Sequence, residues 1–186
     1  LFDLKQCIKL DSLNSECNYL AALSYFEISK YDKTKTDYGK YALECIKKSL
    51  KNNSDNYLAF GLFGEINIAY ARYQEAIDMF NKSLSIEYNQ DKIHHLMGYS
   101  FKKLGQFEIS MNCFQNSINI NPDFIEPYIE IALIYQAKND TLTKTFYRNA
   151  LKIDSSNIIV LYNLGLYYQN NLFYNEALST YNDLLS

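Results

Sequence analysis

The 186-residue chain has no tryptophan, two prolines and six glycines. So few breakers leave long uninterrupted stretches, which fits helices and argues against a sandwich or barrel with its many tight turns. Apolar runs are short: none reaches the roughly eighteen residues that a membrane-spanning helix needs. No charged-then-apolar leader stands at the N-terminus either. A surplus of positive charge is also lacking, since 18 Lys and Arg against 21 Asp and Glu give a net charge of −3. The chain therefore offers phosphate backbones no bulk attraction, and nucleic acid is not expected as a partner.

Motifs that carry chemistry are missing. Gly39-Lys40 is followed by Tyr41, with no glycine five residues before Gly39, so it is not a phosphate loop. Neither a Gly-x-Ser-x-Gly elbow nor a His-Glu-x-x-His pair occurs. His94 and His95 are adjacent, and neighbouring side chains on a helix diverge by about 100°, which prevents both from holding one ion. His94 is expected to pack between helices and His95 to face the groove as a polar contact. Asp78, Glu108 and Glu126 follow the solvent face without forming a catalytic pair. These residues predict no enzyme, no cofactor and no metal. Cys7, Cys17, Cys45 and Cys113 form no close-spaced pair; they read as small buried hydrophobes in a reduced, cytoplasmic setting.

What the chain has in quantity is 18 tyrosines, 11 phenylalanines and a repeating phrase. Divided at Tyr57, Asp91, Ile125 and Ile158, it returns to a small residue, a second small residue twelve places on, then an aromatic, a small residue and an aliphatic. Gly64, Ala76, Phe80, Ser83 and Leu84 spell it once; Gly98, Ser110, Phe114, Ser117 and Ile118 spell it again. Gly165, Ala177, Tyr181, Leu184 and Leu185 give a third version. A period near 34 residues is that of paired-helix arrays. Two helices cross closely only where a side chain is small, and each hairpin buries its apolar faces by stacking on the next.

These residues resemble the tetratricopeptide repeat family, whose unit is a helix A, a tight turn and a helix B. The family's small residue on helix A matches Ala22, Gly64, Gly98, Ala132 and Gly165, and that on helix B matches Ala42, Ala76, Ser110, Thr143 and Ala177. The bulky residue four places later is Ile46, Phe80, Phe114, Tyr147 or Tyr181. The closing proline is Pro122 in one unit, with Ser54, Tyr88 and Ser155 in its place elsewhere. The resemblance implies an all-α, right-handed α-solenoid of antiparallel helix pairs. Its parts would be a partial repeat over 1–14, repeats over 15–56, 57–90, 91–124 and 125–157, and a truncated repeat over 158–186. Cys7, Ile8, Asp11 and Ser12 match Ala150, Leu151, Asp154 and Ser155, so the chain reads as a segment of a longer array.

Two units depart from the common length. Only eleven places separate Ala132 from Thr143, which predicts a distorted turn near Asn139 and Asp140. Twenty separate Ala22 from Ala42. The extra residues either add a turn to each helix or form a loop carrying Thr34, Thr36 and Gly39.

The family resemblance implies a concave groove lined by the A helices, in which an extended peptide or a helix of a partner protein lies. The corresponding positions are Tyr19 and Leu23 in the first full unit, Leu58, Leu62 and Glu65 in the second, and His95, Tyr99, Lys102 and Lys103 in the third. In the fourth they are Ile129, Glu130 and Leu133, and in the fifth Tyr162, Asn163, Leu166 and Gln169. Tyr19, Tyr99 and Tyr162 are the aromatic anchors this surface offers, because large amphipathic rings dominate interface energies. A clamp for an acidic tail needs charge-assisted donors from several directions, and Lys92, Lys102 and Lys103 are the only basic group on the surface. The sequence thus predicts a non-catalytic interaction scaffold. Its alternatives are a substrate-recruiting arm of an enzyme whose catalytic domain lies elsewhere, or a self-association element of a large complex.

Overall fold

A computed structural model describes residues 13–31 and 37–185. Ten helices and no strand occur among them. In order they are α1 (Ser15–Tyr31), α2 (Tyr38–Asn52), α3 (Tyr57–Ala69), α4 (Tyr73–Ile86), α5 (Asp91–Lys103), α6 (Phe107–Ile120), α7 (Ile125–Ala137), α8 (Leu142–Ile153), α9 (Ile158–Asn170) and α10 (Tyr174–Leu185). The helices α3, α5, α7 and α9 each open on the residue at which the sequence period restarts. The chain divides into two compact units, Leu1–Leu104 and Gly105–Ser186.

In the first unit α1 pairs with α2 and α3 with α4, and α5 packs on α4. Ala21, Ala22, Ala42, Ile46, Ala59 and Ile66 form one core, and Ala76, Phe80 and Ile93 form a second. In the second unit α6 packs on α7, while α7 pairs with α8 and α9 with α10. Phe114, Ile118, Ile131 and Ile134 fill the first interface; Ala132, Tyr147, Ala150, Val160 and Leu164 fill the next.

Small residues hold these hairpins together by what they lack. A Cβ on Gly64 would stand 2.6 Å from Phe80 Cδ1, and one on Gly165 would stand 2.8 Å from Tyr181 Cδ1. The aromatic ring of helix B therefore occupies the space a side chain on helix A would need. Where the ring carries a hydroxyl, a polar partner sits on helix A: Tyr147 donates to Gln136 Oε1 at 2.8 Å and Tyr181 to Gln169 Oε1 at 3.1 Å. Phe80, which has no hydroxyl, faces Ile68 at the equivalent place. A buried phenol without a partner would carry the desolvation cost of an unmade hydrogen bond, so the glutamines answer the tyrosines.

The turns share one device. Ala71, Asn139 and Leu172 have φ of 55°, 53° and 64°, and Gly105 has 77°. The residue after each non-glycine one donates its N–H five residues back: Arg72 to Asn67, Asp140 to Tyr135 and Phe173 to Tyr168. This left-handed closure satisfies carbonyls at the end of helix A. In the eleven-place unit the missing residue falls after Asn139, where Asp140 accepts from Leu142 N–H at 2.8 Å and from the Thr143 hydroxyl at 2.6 Å. The distortion expected at Asn139 and Asp140 is thus a shortened start to α8.

Helix B exits through a second recurring feature. The caps Asn53, Glu87, Asn121 and Asp154 are extended, and each accepts from the N–H two residues on. A side-chain acceptor holds this turn in these four units, which explains why proline at the following position is needed only once.

In the longer unit α1 has 17 residues against 13 in α3, whereas α2 has 15 against 14 in α4. Among the described residues the extra length goes to helix A, by about one turn, and hardly to helix B. Gly39 lies within α2, buried against the Tyr70 hydroxyl, so it belongs to no loop. Thr34 and Thr36, and the partial repeat inferred from Cys7, Ile8, Asp11 and Ser12, lie outside the described residues.

The cysteines do not behave alike. Cys113 is a buried thiol and Cys45 a half-buried one, as expected of small hydrophobes, and burial pushes the Cys113 thiol up to about 11. Cys17 instead is disulfide-bonded. Sequence spacing shows only close pairs, whereas a bridge needs nearness in space, so the thiol reading does not hold for Cys17.

Candidate functional site

The first unit contains a cleft of about 370 Å³ where α1, α3 and the start of α5 meet. Leu23, Leu58, Leu62 and Ile93 make its apolar lining, with Tyr19, Tyr57 and Glu65 beside them and the polar segment from Asn89 to Lys92 at the start of α5 completing it. Local sequence builds each part. Asn56 caps α3 by accepting from Ala59 N–H at 3.0 Å, and Ser83 of α4 donates to the Tyr57 carbonyl at 2.8 Å. Gln90, just before α5, donates to the Ser83 hydroxyl at 3.0 Å. Gly61 lets α5 start against α3, since a Cβ there would lie 2.9 Å from Ile93 Cδ1.

Glu65 and Lys92 form an ion pair of 2.8 Å on the rim, with side chains 19% and 62% exposed. On the far side of Glu65 lies a smaller dimple of about 210 Å³, walled by Phe26, Lys30, Ile68, Ala69 and Leu96. Five of the residues expected in a groove, Tyr19, Leu23, Leu58, Leu62 and Glu65, therefore meet in one place. Burial raises the Tyr19 phenol above its ordinary value, with Glu16 and Glu65 adding to the shift, so the ring is neutral at physiological pH.

The α5 residues stand differently. His94 is buried and shares a 3.2 Å hydrogen bond with the Tyr88 carbonyl, as its place between helices predicted. His95 is half-buried. Tyr99 packs edge-on to Tyr73 at 6.4 Å between centroids, and Lys103 and Lys102 stand 5.2 and 5.8 Å from its ring centre. It is an aromatic already in company, less available than its position suggested. Lys92 is occupied by Glu65.

In the second unit Ile129, Glu130 and Leu133 are half-buried on α7, and Ile129 packs into the hydrophobic core. Leu133 and Gln136 border a hollow of about 390 Å³ with Tyr167, Asn170 and Asn171. Tyr162 is 51% exposed; Asn163 and Leu166 are half-buried. The Gln169 amide oxygen is taken by Tyr181 of the same hairpin. Among the described residues no group of three or more His, Cys, Asp or Glu is arranged to hold a metal ion, and no helix is long and apolar enough to cross a membrane.

Sequence reasoning missed Tyr57, Gly61 and Ile93 as cleft residues. The available signal was a glycine inside α3 one position before Leu62, a place where a neighbouring helix must come close. The pairing of Glu65 with Lys92 had no signal, because 27 positions separate them.

Residues 91–124 match the family profile described as tetratricopeptide repeat. The TPR repeat-containing protein MJ1428 of Methanocaldococcus jannaschii is 25% identical over 158 residues, 81% of this chain and 27% of that protein. The protein O-mannosyl-transferase F38B6.6 of Caenorhabditis elegans is 27% identical over 105 residues, 56% of this chain and 15% of that protein. The chain thus spans only about a quarter or less of the length of these relatives. Among solved structures, MamA aligns with a TM-score of 0.74 at 18% identity, over 82% of this chain and 90% of its own. YrrB, described as a TPR protein with an unusual peptide-binding site, aligns with 0.73 at 18% identity, over 98% and 90%. PilF of Pseudomonas aeruginosa aligns with 0.78 at 11% identity, over 92% and 75%. At these identities the structures speak for the fold. Residues 91–124 thus match a tetratricopeptide repeat, and the described helices, with the same small-residue hairpin in both units, have the fold of solved tetratricopeptide repeat proteins.

Proposed function

We propose that this chain is a non-catalytic protein-interaction scaffold that takes a peptide or helix of a partner protein in the cleft formed by α1, α3 and α5. The observation that carries this reading is the convergence of Tyr19, Leu23, Leu58, Leu62 and Glu65 on one apolar cleft of about 370 Å³, with Leu58 47% exposed. Apolar surface exposed in a recess gains free energy when a partner's side chain covers it. A preorganised helical surface also limits the ordering cost of binding a flexible segment. The fold shared with YrrB supports the same class of role.

Selection of displayed random peptides on the chain tests the reading. Enriched peptides are expected to carry large apolar residues, to lose at least about ten-fold in affinity for Leu58→Asp, and to be indifferent to Tyr162→Ala. Failure to enrich any peptide, or affinity unmoved by Leu58→Asp with the helical circular dichroism unchanged, overturns it. A second reading, a recruiting arm within a longer enzyme, draws on the similarity to part of an O-mannosyl-transferase. Under that reading the parent polypeptide carries a catalytic domain outside these residues, which its full sequence decides.

A further inference from the structure

We propose that the occupant of the α1–α3–α5 cleft is an amphipathic helix lying along α3, with apolar side chains seven residues apart and a Lys or Arg between them. This rests on the preceding reading and narrows it. The cleft and the smaller dimple share Glu65 as their common wall. The cleft takes Tyr19 and Leu23 from α1 and Leu58 to Glu65 from α3. The dimple takes Phe26 and Lys30 from α1 and Glu65 to Ala69 from α3. The second recess thus lies six to seven residues further along both helices, about 10 Å at 1.5 Å of rise per residue.

That spacing selects a conformation. On a helix, residues i and i+7 share one face and stand about 10 Å apart. An extended segment spans a similar distance in three residues of about 3.3 Å each, but its side chains alternate, so i and i+3 point to opposite sides. Two recesses lined by the same two helices and sharing Glu65, at this separation, therefore receive two side chains of a helix and only one of a strand.

Charge specifies the residue between them. Glu65 is 19% exposed and fixed on α3, whereas Lys92 is 62% exposed and has a flexible stem that reaches water. A helix seated across both recesses covers the ion pair and displaces the outer member. A covered carboxylate left without a cation is strongly unfavourable, so the incoming helix must bring one, at i+3 or i+4, the positions that fall on the same face. The exchange replaces a rim lysine by a partner cation and leaves Glu65 paired throughout.

Three alanine-based peptides measured by fluorescence anisotropy against the whole chain test this. The first has Leu at i and i+7 and Arg at i+3; the second has Gln for that Arg; the third keeps the first's length, two leucines and Arg but replaces an alanine by proline and carries its leucines two residues apart. The first is expected to bind about ten-fold more tightly than the second. Glu65→Gln should abolish that difference and leave the second peptide's affinity unchanged, whereas Lys92→Ala should strengthen the first peptide's binding. Equal or tighter binding of the proline peptide, still lost on Leu58→Asp, overturns the helix while sparing the cleft. A first peptide that binds no better than the second to the unaltered chain overturns the exchange at Glu65. If no peptide binding depends on Leu58, both this inference and the broader reading fall.

Discussion

Gly64 shows how one missing side chain sets a hairpin. The Phe80 ring fills the space its Cβ would need, and Phe80 is fully buried, so neither partner has room to move. Gly64→Ala should lower stability by about 1–3 kcal/mol through overpacking, read as a shift in denaturant midpoint. Gly165→Ala meets only a half-buried Tyr181 and should cost less. His94 sets a pH dependence. Burial holds its pKa below the ordinary 6.5, against the opposing effect of the Tyr88 carbonyl. The folded value lies below the unfolded one, so the unfolded chain takes the proton first and stability falls as pH drops below about 6.5. Thermal melts between pH 7.5 and about 5.5 should show this decline, and His94→Gln, which keeps a donor for the Tyr88 carbonyl, should flatten it. A separate loss comes only below 3.8, where hydrogen bonds from Asn157 and then Ser156 hold the Asp154 carboxyl down.

At the scale of the element, the turns divide what was legible from what was not. Glycine marks the left-handed residue once, at Gly105; at the same step of the other units stand Ala71, Asn139 and Leu172. Ala71 and Leu172 have no local chemistry favouring positive φ, so their conformation is imposed by the hairpin packing that Gly64 with Phe80 and Gly165 with Tyr181 fix on either side. A left-handed alanine costs about 1–2 kcal/mol. Ala71→Gly should therefore raise stability by about 0.5–1 kcal/mol, after the greater unfolded-state freedom of glycine is subtracted. Calorimetry checks this: an unchanged or lower melting temperature would mean the turn is not strained. Helix starts, by contrast, were readable to the residue at Tyr57, Asp91, Ile125 and Ile158, because a side-chain acceptor and a period-setting small residue recur on each side. The long first hairpin left two readings open in sequence. The structure adds about one turn at the end of α1, where Lys30 pairs with Glu27 at 2.7 Å and stands 4.3 Å from the Phe26 ring centre while Tyr31 is exposed.

For the whole molecule the consequence of a repeat fold is unequal protection. Within each unit helices contact their neighbours in sequence, so a helix held on two sides opens less often than one held on one. Helix α4 packs on α3 and α5, whereas α10 packs on α9 and leaves Leu178 and Leu185 62% and 85% exposed. Amide hydrogen exchange followed by mass spectrometry should find α10 exchanging at least about ten-fold faster than α4. Equal rates would show that nearest-neighbour packing does not govern this chain.

Sequence alone determined the helices, their register and the fold they resemble, because those depend on near neighbours: small residues twelve places apart and apolar residues at helical spacing. It also proposed which side of each A helix to consider. Tertiary structure decided the rest. It drew Tyr19, Leu23, Leu58, Leu62 and Glu65 into one recess, gave Lys92 to Glu65, Gln169 to Tyr181 and Tyr99 to Tyr73, and put Cys17 in a disulfide. Each of these depends on atoms that lie far apart in the chain or on different helices, and no periodicity records which distant side chain will arrive first.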